Sequence, residues 1–422
     1  MKWPSVPLDN ISVTIRNGLN IRQSSIADGL PITRIETISE QVINPQLVGY
    51  GGIKEGEKKE WYLKENDILF GHINSEERIG NCAMYNGFPK PLVHGMNLLC
   101  LRPNVQLIDP SFLLYSLRSN FFKIQLKSII KRAVNQASVS IGNLKEIKIP
   151  LPPFSEQRRI VEILDQADHL RKMRIEADKK AERILPALFI KMFGDPVLNP
   201  LRLPTDAVGD LLILLRNGTT AAQNQNGQGY PVSRIETISA GIINPQHVRY
   251  VELDDEARDR WMLQYGDILF SHINSESHIG KTAIYKGQPP CLIHGMNLLL
   301  IRSDQNKVLP EYLFAILNTE SVRTAYRQRC KRAVNQASLN QKDISTLEVA
   351  VAPLDAQSQF CKIANSLLGQ LELQKQSTEN IDSLFDNLLH RAFSGDLTAS
   401  WRQANMKELL QEMEIQAKAL AS

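Results

Sequence analysis

The chain of 422 residues is 43% hydrophobic and 22% charged, with a net charge of +4. That is a globular composition, sized for about two to four domains. The mild charge excludes a chain that is basic throughout, so a surface for an anionic partner has to be local. No run of 18 apolar residues occurs, so no membrane-spanning helix is expected.

The N-terminal MKWPSVPLDN lacks the apolar core of a secretory signal. Five cysteines without a CxxC pair read as reduced thiols of a cytoplasmic protein. In chain order, NDILFGHI (Asn66–Ile73) and NLLCLR (Asn97–Arg102) are apolar runs of strand length bounded by turn residues. RIGNCAMY between them alternates loosely, with Gly80 suited to a turn or bulge. Pro110–Leu126 has a Pro–Ser start and apolar residues at Phe112, Leu113, Tyr115, Leu117, Phe121 and Ile124, which predicts a helix. EIKIPLPP then alternates Ile147, Ile149 and Leu151 and stops at Pro152–Pro153, as a strand ended by proline does.

From Ser155 the chain becomes charged and rich in helix formers, and Ser155 is the expected N-cap. Ile163, Ala167, Leu170, Arg174, Ala177, Ala181, Ile184 and Leu188 follow alternating four-three spacing, a heptad seam with one polar member. Pro186 should bend or break this helix, and Gly194–Asp195–Pro196 should stop it.

The chain then repeats itself. RNG at Arg16 recurs at Arg216, RIETIS at Arg34 and Arg234, DILF at Asp67 and Asp267, HINSE at His72 and His272. HGMNLL recurs at His94 and His294, and KRAVNQAS at Lys131 and Lys331. Aligned without a gap, residues 31–138 and 231–338 agree at 49 of 108 positions, all at an offset of 200. This is a duplicated domain with its connector. The 111–130 stretch keeps only Leu113/Leu313 and Leu117/Leu317, as a packed helix with a free outer face would. The second connector offers a seam through Ile363, Leu367, Gln370, Gln374, Ser377, Ile381, Leu384 and Leu388, or a shifted one through Leu368 and Leu371. Two such helices would most simply pair antiparallel, with Arg174 and Gln374 meeting near the middle, or each would pack on its own domain.

No GxGxxG or GxxxxGK[ST] loop is present, so nucleotide cofactors have no support. LPPF at Leu151–Phe154 lacks the leading Asn or Asp of an amino-methyltransferase motif and reads as a strand stop. His72, Cys82 and His94 have Thr282 in place of the cysteine in the second copy, which argues against a metal site. His94 and His294 fit either core packing or a DNA contact. KRAVNQAS supplies Lys131, Arg132, Asn135 and Gln136, and its second copy Lys331, Arg332, Asn335 and Gln336. Lys and Arg suit phosphates, while Asn and Gln match the major-groove edge of adenine. HINSE adds His72, Asn74 and Ser75 with His272, Asn274 and Ser275, and RIETIS adds Arg34 and Arg234. These are the candidate DNA-binding residues, although the same side chains could instead close turns.

Together these segments resemble the specificity subunits of type I restriction–modification systems. The resemblance rests on Asn66–Leu69 and Gly266–Leu269, on Ile79–Gly80 and Ile279–Gly280, and on IKIPLPPFSEQRRIVEIL with Pro152, Pro153, Glu156, Gln157 and Ile160. It also rests on LFIKMFGDPVLNP and LFDNLLHRAFSGDLT. The second junction, VAPLDAQSQF, departs, with Ala356 where Glu156 stands. The resemblance implies an α+β chain of two mixed target-recognition domains in pseudo-twofold arrangement, separated by two long helices that form an antiparallel coiled coil. The expected division is 1–153 and 199–353 for the domains, 154–198 for the first connector and 354–422 for the second with its tail.

Such a chain has no catalytic residue, metal or cofactor of its own. It reads a split site in double-stranded DNA and docks two methyltransferase subunits, which bind S-adenosylmethionine and methylate a flipped adenine. ATP-dependent restriction subunits are optional partners. Because the polar loop segments are the best preserved, both domains are expected to read nearly the same half-sequence, giving a near-palindromic site. Two other readings are a standalone DNA-binding regulator with two fused half-site readers and a coiled-coil scaffold.

Overall fold

The computed structural model describes residues 3–75, 78–133, 136–238, 241–274, 278–333 and 336–421. The chain forms two compact units, Met1–Met173 with Asn380–Ser422, and Arg174–Glu379. Each is built on a four-stranded antiparallel sheet. In the first the order is Ser12–Asn17, Leu99–Pro103, Ile68–Phe70, Cys82–Met84. In the second it is Leu212–Asn217, Leu298–Ser303, Ile268–Ser271, Thr282–Ile284. The registers coincide, with Ile68 opposite Leu101 and Met84, and Ile268 opposite Ile301 and Ile284.

The DILF run is unbroken because its strand is buried on both faces. Ile68 and Phe70 enter a core with Phe112, Leu113 and Phe122, while Leu69 enters another with Tyr85, Leu92 and Cys100. Asp67, itself buried, accepts from Arg102 Nε and Nη2 at 2.7 and 2.6 Å, and Asp267 does the same with Arg302. This two-pronged pair across the sheet gives Asp and Arg a structural reason to recur in both copies. The proline-ended run forms the strand Lys148–Pro150, which pairs with Ser5–Pro7.

The single helix expected from Pro110 is two, Pro110–Arg118 and Asn120–Ile129. Ser119 separates them. Its extended backbone and its Oγ, which accepts from Phe122 N at 3.2 Å, make it the N-cap of the second.

The connectors are helical over Phe154–Ala181, Ile184–Phe193 and Leu354–Ser394. The break at Glu182–Arg183 lies one turn before Pro186, whose ring excludes the carbonyl four residues back. Gly194 ends the helix with φ +71°. Ser155 is not the N-cap. It lies inside the first turn, where its N–H and hydroxyl both bind the Glu412 carboxylate.

Within each unit the helix segments run antiparallel and also pack on the domain. In the first unit Glu156 meets Thr398, while Arg171 meets Asp382. In the second, Phe193 stacks edge-on against Phe360, while Arg174 Nε donates to Thr378 Oγ1 at 3.1 Å. Arg174 therefore meets Thr378 and Asp178, and not Gln374. The seam is also offset from the expected one. Leu170 is 61% exposed and Ile184 49%, whereas Leu164 and Leu185 are buried. The inward line is Leu164, Ala167, Arg171, Arg174, Asp178, Ala181, Leu185 and Leu188, which shares every second member with the expectation. In the second connector the shifted line through Leu368 and Leu371 is the inward one. Among the described residues no helix is long and apolar enough to cross a membrane.

Candidate nucleic-acid interface

HINSE and KRAVNQAS, some sixty residues apart in sequence, form one small antiparallel sheet. Lys131–Ala133 and Gln136–Ser138 make a hairpin with Ala137 opposite Arg132. Ile73–Asn74 adds a third strand, with Ala137 opposite Asn74 and Ser138 opposite Ile73. The second copy builds the same sheet from Ile273–Asn274, Gln336–Ser338 and Lys331–Ala333. Buried Ala137 and Val139 anchor one face, and Val139 N donates to His72 O at 2.9 Å. The loop that leads in is closed by Gly71 N to Asn81 O and Gly80 N to Gly71 O, both 2.8 Å. Gly80 has φ +87°, a conformation that strains any residue with a Cβ, and a Cβ there would lie 2.6 Å from the Leu126 side chain, which would have to shift.

On this sheet Lys131, Arg132 and Lys331 are exposed, Ser75 is exposed, and Asn74 and Asn274 are half-buried. Asn74 Oδ1 accepts from Ser75 N at 2.8 Å, whereas Asn274 Nδ2 donates to Ser271 Oγ at 3.2 Å. Asn135, Ser275 and Asn335 lie outside the described residues, as do the side chains of Gln136, Arg332 and Gln336.

His72 and His272 are 5% and 8% exposed, and burial holds both imidazoles below their usual pKa. That placement packs both rings largely in the interior of their units. His94 and His294 are fully buried, with Nε2 3.0 Å from the carbonyls of Leu98 and Leu298. Burial pulls each down to about 4.

Arg34 and Arg234 belong to a separate loop cluster. Each backbone N–H donates to a threonine hydroxyl, Thr37 or Thr237, that closes the RIETIS turn. Arg34 Nε donates to Gln23 Oε1 at 3.1 Å, and Arg234 lies 3.5 Å from Glu236. Arg234 shares a cleft of 310 Å³ with Thr220, Gln223, Met296 and Asn297. The RNG arginines are occupied: Arg16 lies 4.7 Å over the Trp61 ring and Arg216 4.7 Å over Trp261.

Sequence reasoning missed a basic cleft of 710 Å³ beside the first sheet, lined by Arg118, Lys123 and Lys127. Its only sequence signal is the four-residue spacing of the two lysines, which puts them on one helix face.

A family model for the type I restriction modification DNA specificity domain matches residues 20–184 and 206–383. The chain is 32% identical, over 94% of its length and 93% of the relative's, to a putative type I restriction enzyme MjaX specificity subunit of Methanocaldococcus jannaschii. It is 26% identical, over 96% of its length and 91% of the relative's, to the type I restriction enzyme EcoKI specificity subunit of Escherichia coli. A type I restriction-modification S subunit from M. genitalium, solved by crystallography, aligns at 14% identity and TM-score 0.49 over 93% of this chain and 96% of that one. Two matches, one over each copy of the repeat, and a relative aligned almost end to end, place this chain in the type I restriction–modification DNA specificity family.

Proposed function

We propose that the chain reads a bipartite site in double-stranded DNA, one half per domain, and directs two adenine methyltransferase subunits to it. DNA specificity and the absence of catalysis come with the family. The bipartite, near-palindromic character rests on one observation: the same three-stranded sheet, made of the same two motifs in the same register, occurs once in each unit. In this proposal Lys131, Arg132 and their counterparts hold phosphates, while Asn74, Asn135, Gln136 and theirs face base edges. S-adenosylmethionine belongs to the methyltransferase subunits, and ATP-dependent restriction subunits are optional members of the assembly. The test is reconstitution. Co-expressed with its methyltransferase, the chain should co-elute with it and confer sequence-specific adenine methylation that neither protein shows alone. Tight, specific DNA binding by the chain alone, with no association, would favour a standalone regulator.

A further inference from the structure

The cleft beside the first sheet has a counterpart in the second unit. Ile79, Gly80, Asn81, Cys82, Arg118 and Lys123 line the one. Lys281, Thr282, Asn318 and Arg323 line the other, at the same offset of 200. Arg118 ends the helix Pro110–Arg118, and Lys123 and Lys127 stand on the next, Asn120–Ile129, whose ten residues share no identity with their copies. Its charge has nevertheless persisted: Lys123 and Lys127 became Arg323 and Arg327. Arg118 became Asn318, while Asn81 across the cleft became Lys281, so a cation lost from one wall reappears on the other. A face that only had to be solvated would have no reason to compensate in this way.

The two clefts differ in their acids. In the first unit Asp382, the counterpart of Glu182, is held by Arg171 at 2.5 Å. Arg118 spends its Nη2 on the carbonyls of Gln41 and Cys82, and its buried Nε has no partner among the described residues. Lys123 and Lys127 are exposed, and among the described residues no carboxylate lines this cleft. In the second unit Leu371 replaces Arg171, and Glu182 lines the cleft with Lys281 and Arg323. Arg327 is paired with Glu320 at 3.0 Å.

We infer that the cleft of Arg118, Lys123 and Lys127 seats a backbone phosphate of the DNA whose bases meet the adjacent sheet. Ile130 closes the cleft and Lys131 begins the hairpin, so a duplex against the hairpin brings its sugar–phosphate chain to these cations. The inference rests on the DNA-reading role, and it assigns the cleft to positioning rather than to sequence choice. The second cleft, partly neutralised by Glu182, is the weaker seat.

The experiment uses the full chain in its methyltransferase complex, with fluorescence anisotropy on target and scrambled duplexes across a salt series. Lys123→Ala with Lys127→Ala should weaken both duplexes equally, by roughly tenfold per lost contact at about 0.1 M salt. The slope of log affinity against log salt should fall by about one per contact. Arg at both positions should restore it, and Glu182→Gln should steepen it. Both lysines are exposed, so the unfolding midpoint should not move. An unchanged slope, or a loss confined to the target duplex, overturns the assignment. Loss of co-elution with the methyltransferase at unchanged DNA affinity would make the cleft a seat for an acidic protein surface instead. If the sheets do not read bases, Gln136→Ala leaves the methylated sequence unaltered while the slope change here still stands.

Discussion

Glu156 and Ala356 hold equivalent places in the two copies and make opposite use of them. Glu156 is fully buried, and its Oε1 accepts from Thr398 Oγ1 and Arg402 Nε, both at 2.6 Å. Its Oε2 accepts from Trp3 Nε1 at 2.9 Å. In the second copy Ala356 and Leu203, the counterpart of Trp3, lie against the apolar core. Removing one member of a buried, satisfied ion pair strands the other. Glu156→Ala is therefore expected to cost about 3–5 kcal/mol, although alanine is the natural residue 200 positions on. Chemical denaturation would check this. A cost below about 1 kcal/mol would mean that Arg402 finds water. The departure at Ala356 was legible in the sequence. Its meaning was not, because Trp3, Thr398 and Arg402 are far away in the chain.

The paired histidines give a pH dependence with a definite sign. His94 and His294 are held neutral, at about 4 in the fold against 6.5 when exposed. The unfolded chain therefore binds more protons between those values. The stability they contribute is full above pH 6.5 and declines as pH falls toward 4. His94→Gln with His294→Gln should lose less stability than the parent between pH 7 and pH 5, read as the shift in urea midpoint. An identical shift in both proteins would contradict the assignment.

Among the elements, the strands and both connectors were readable because each is a strong local pattern. The break at Ser119 was not, since apolar residues at helical spacing, Leu117, Phe121 and Ile124, continue across it and only the capping hydroxyl decides. The heptad offset has a physical cause as well. Apolar spacing chose Ile163 and Leu170, but the domain core captures Ile160 and Leu164. The middle of the seam is polar, closed by Arg171 on Asp382 in one unit and by Thr378 on Asp178 in the other. These helices are expected to set the unread spacer of the DNA site. Four residues inserted after Lys172 add about one turn and ~6 Å. Methylation mapping should then show both half-sequences kept and the spacer changed; an unchanged spacer would refute this role.

At the scale of the molecule, the duplication is itself the evidence. Framework residues recur where the fold requires them, as Asp67 with Arg102 and Gly80 show. KRAVNQAS recurs in full, although Lys131, Arg132 and Lys331 are exposed and no part of the core. The repeat, the family and the candidate segments were legible in the sequence. The joining of HINSE to KRAVNQAS in one sheet was not, nor were the burial of His72 and the basic cleft, because these depend on contacts between distant segments. Two like sheets are expected to read like half-sequences, so that the target is an interrupted near-palindrome with an adenine in each half. Gln136→Ala should relax one half and Gln336→Ala the other, at roughly 1–3 kcal/mol per bidentate pair lost. The most direct test is single-molecule sequencing of DNA methylated by the intact complex. Two half-sequences that are inverted copies, or that differ at a single position, are expected; two unrelated half-sequences would rule out like reading by the two sheets.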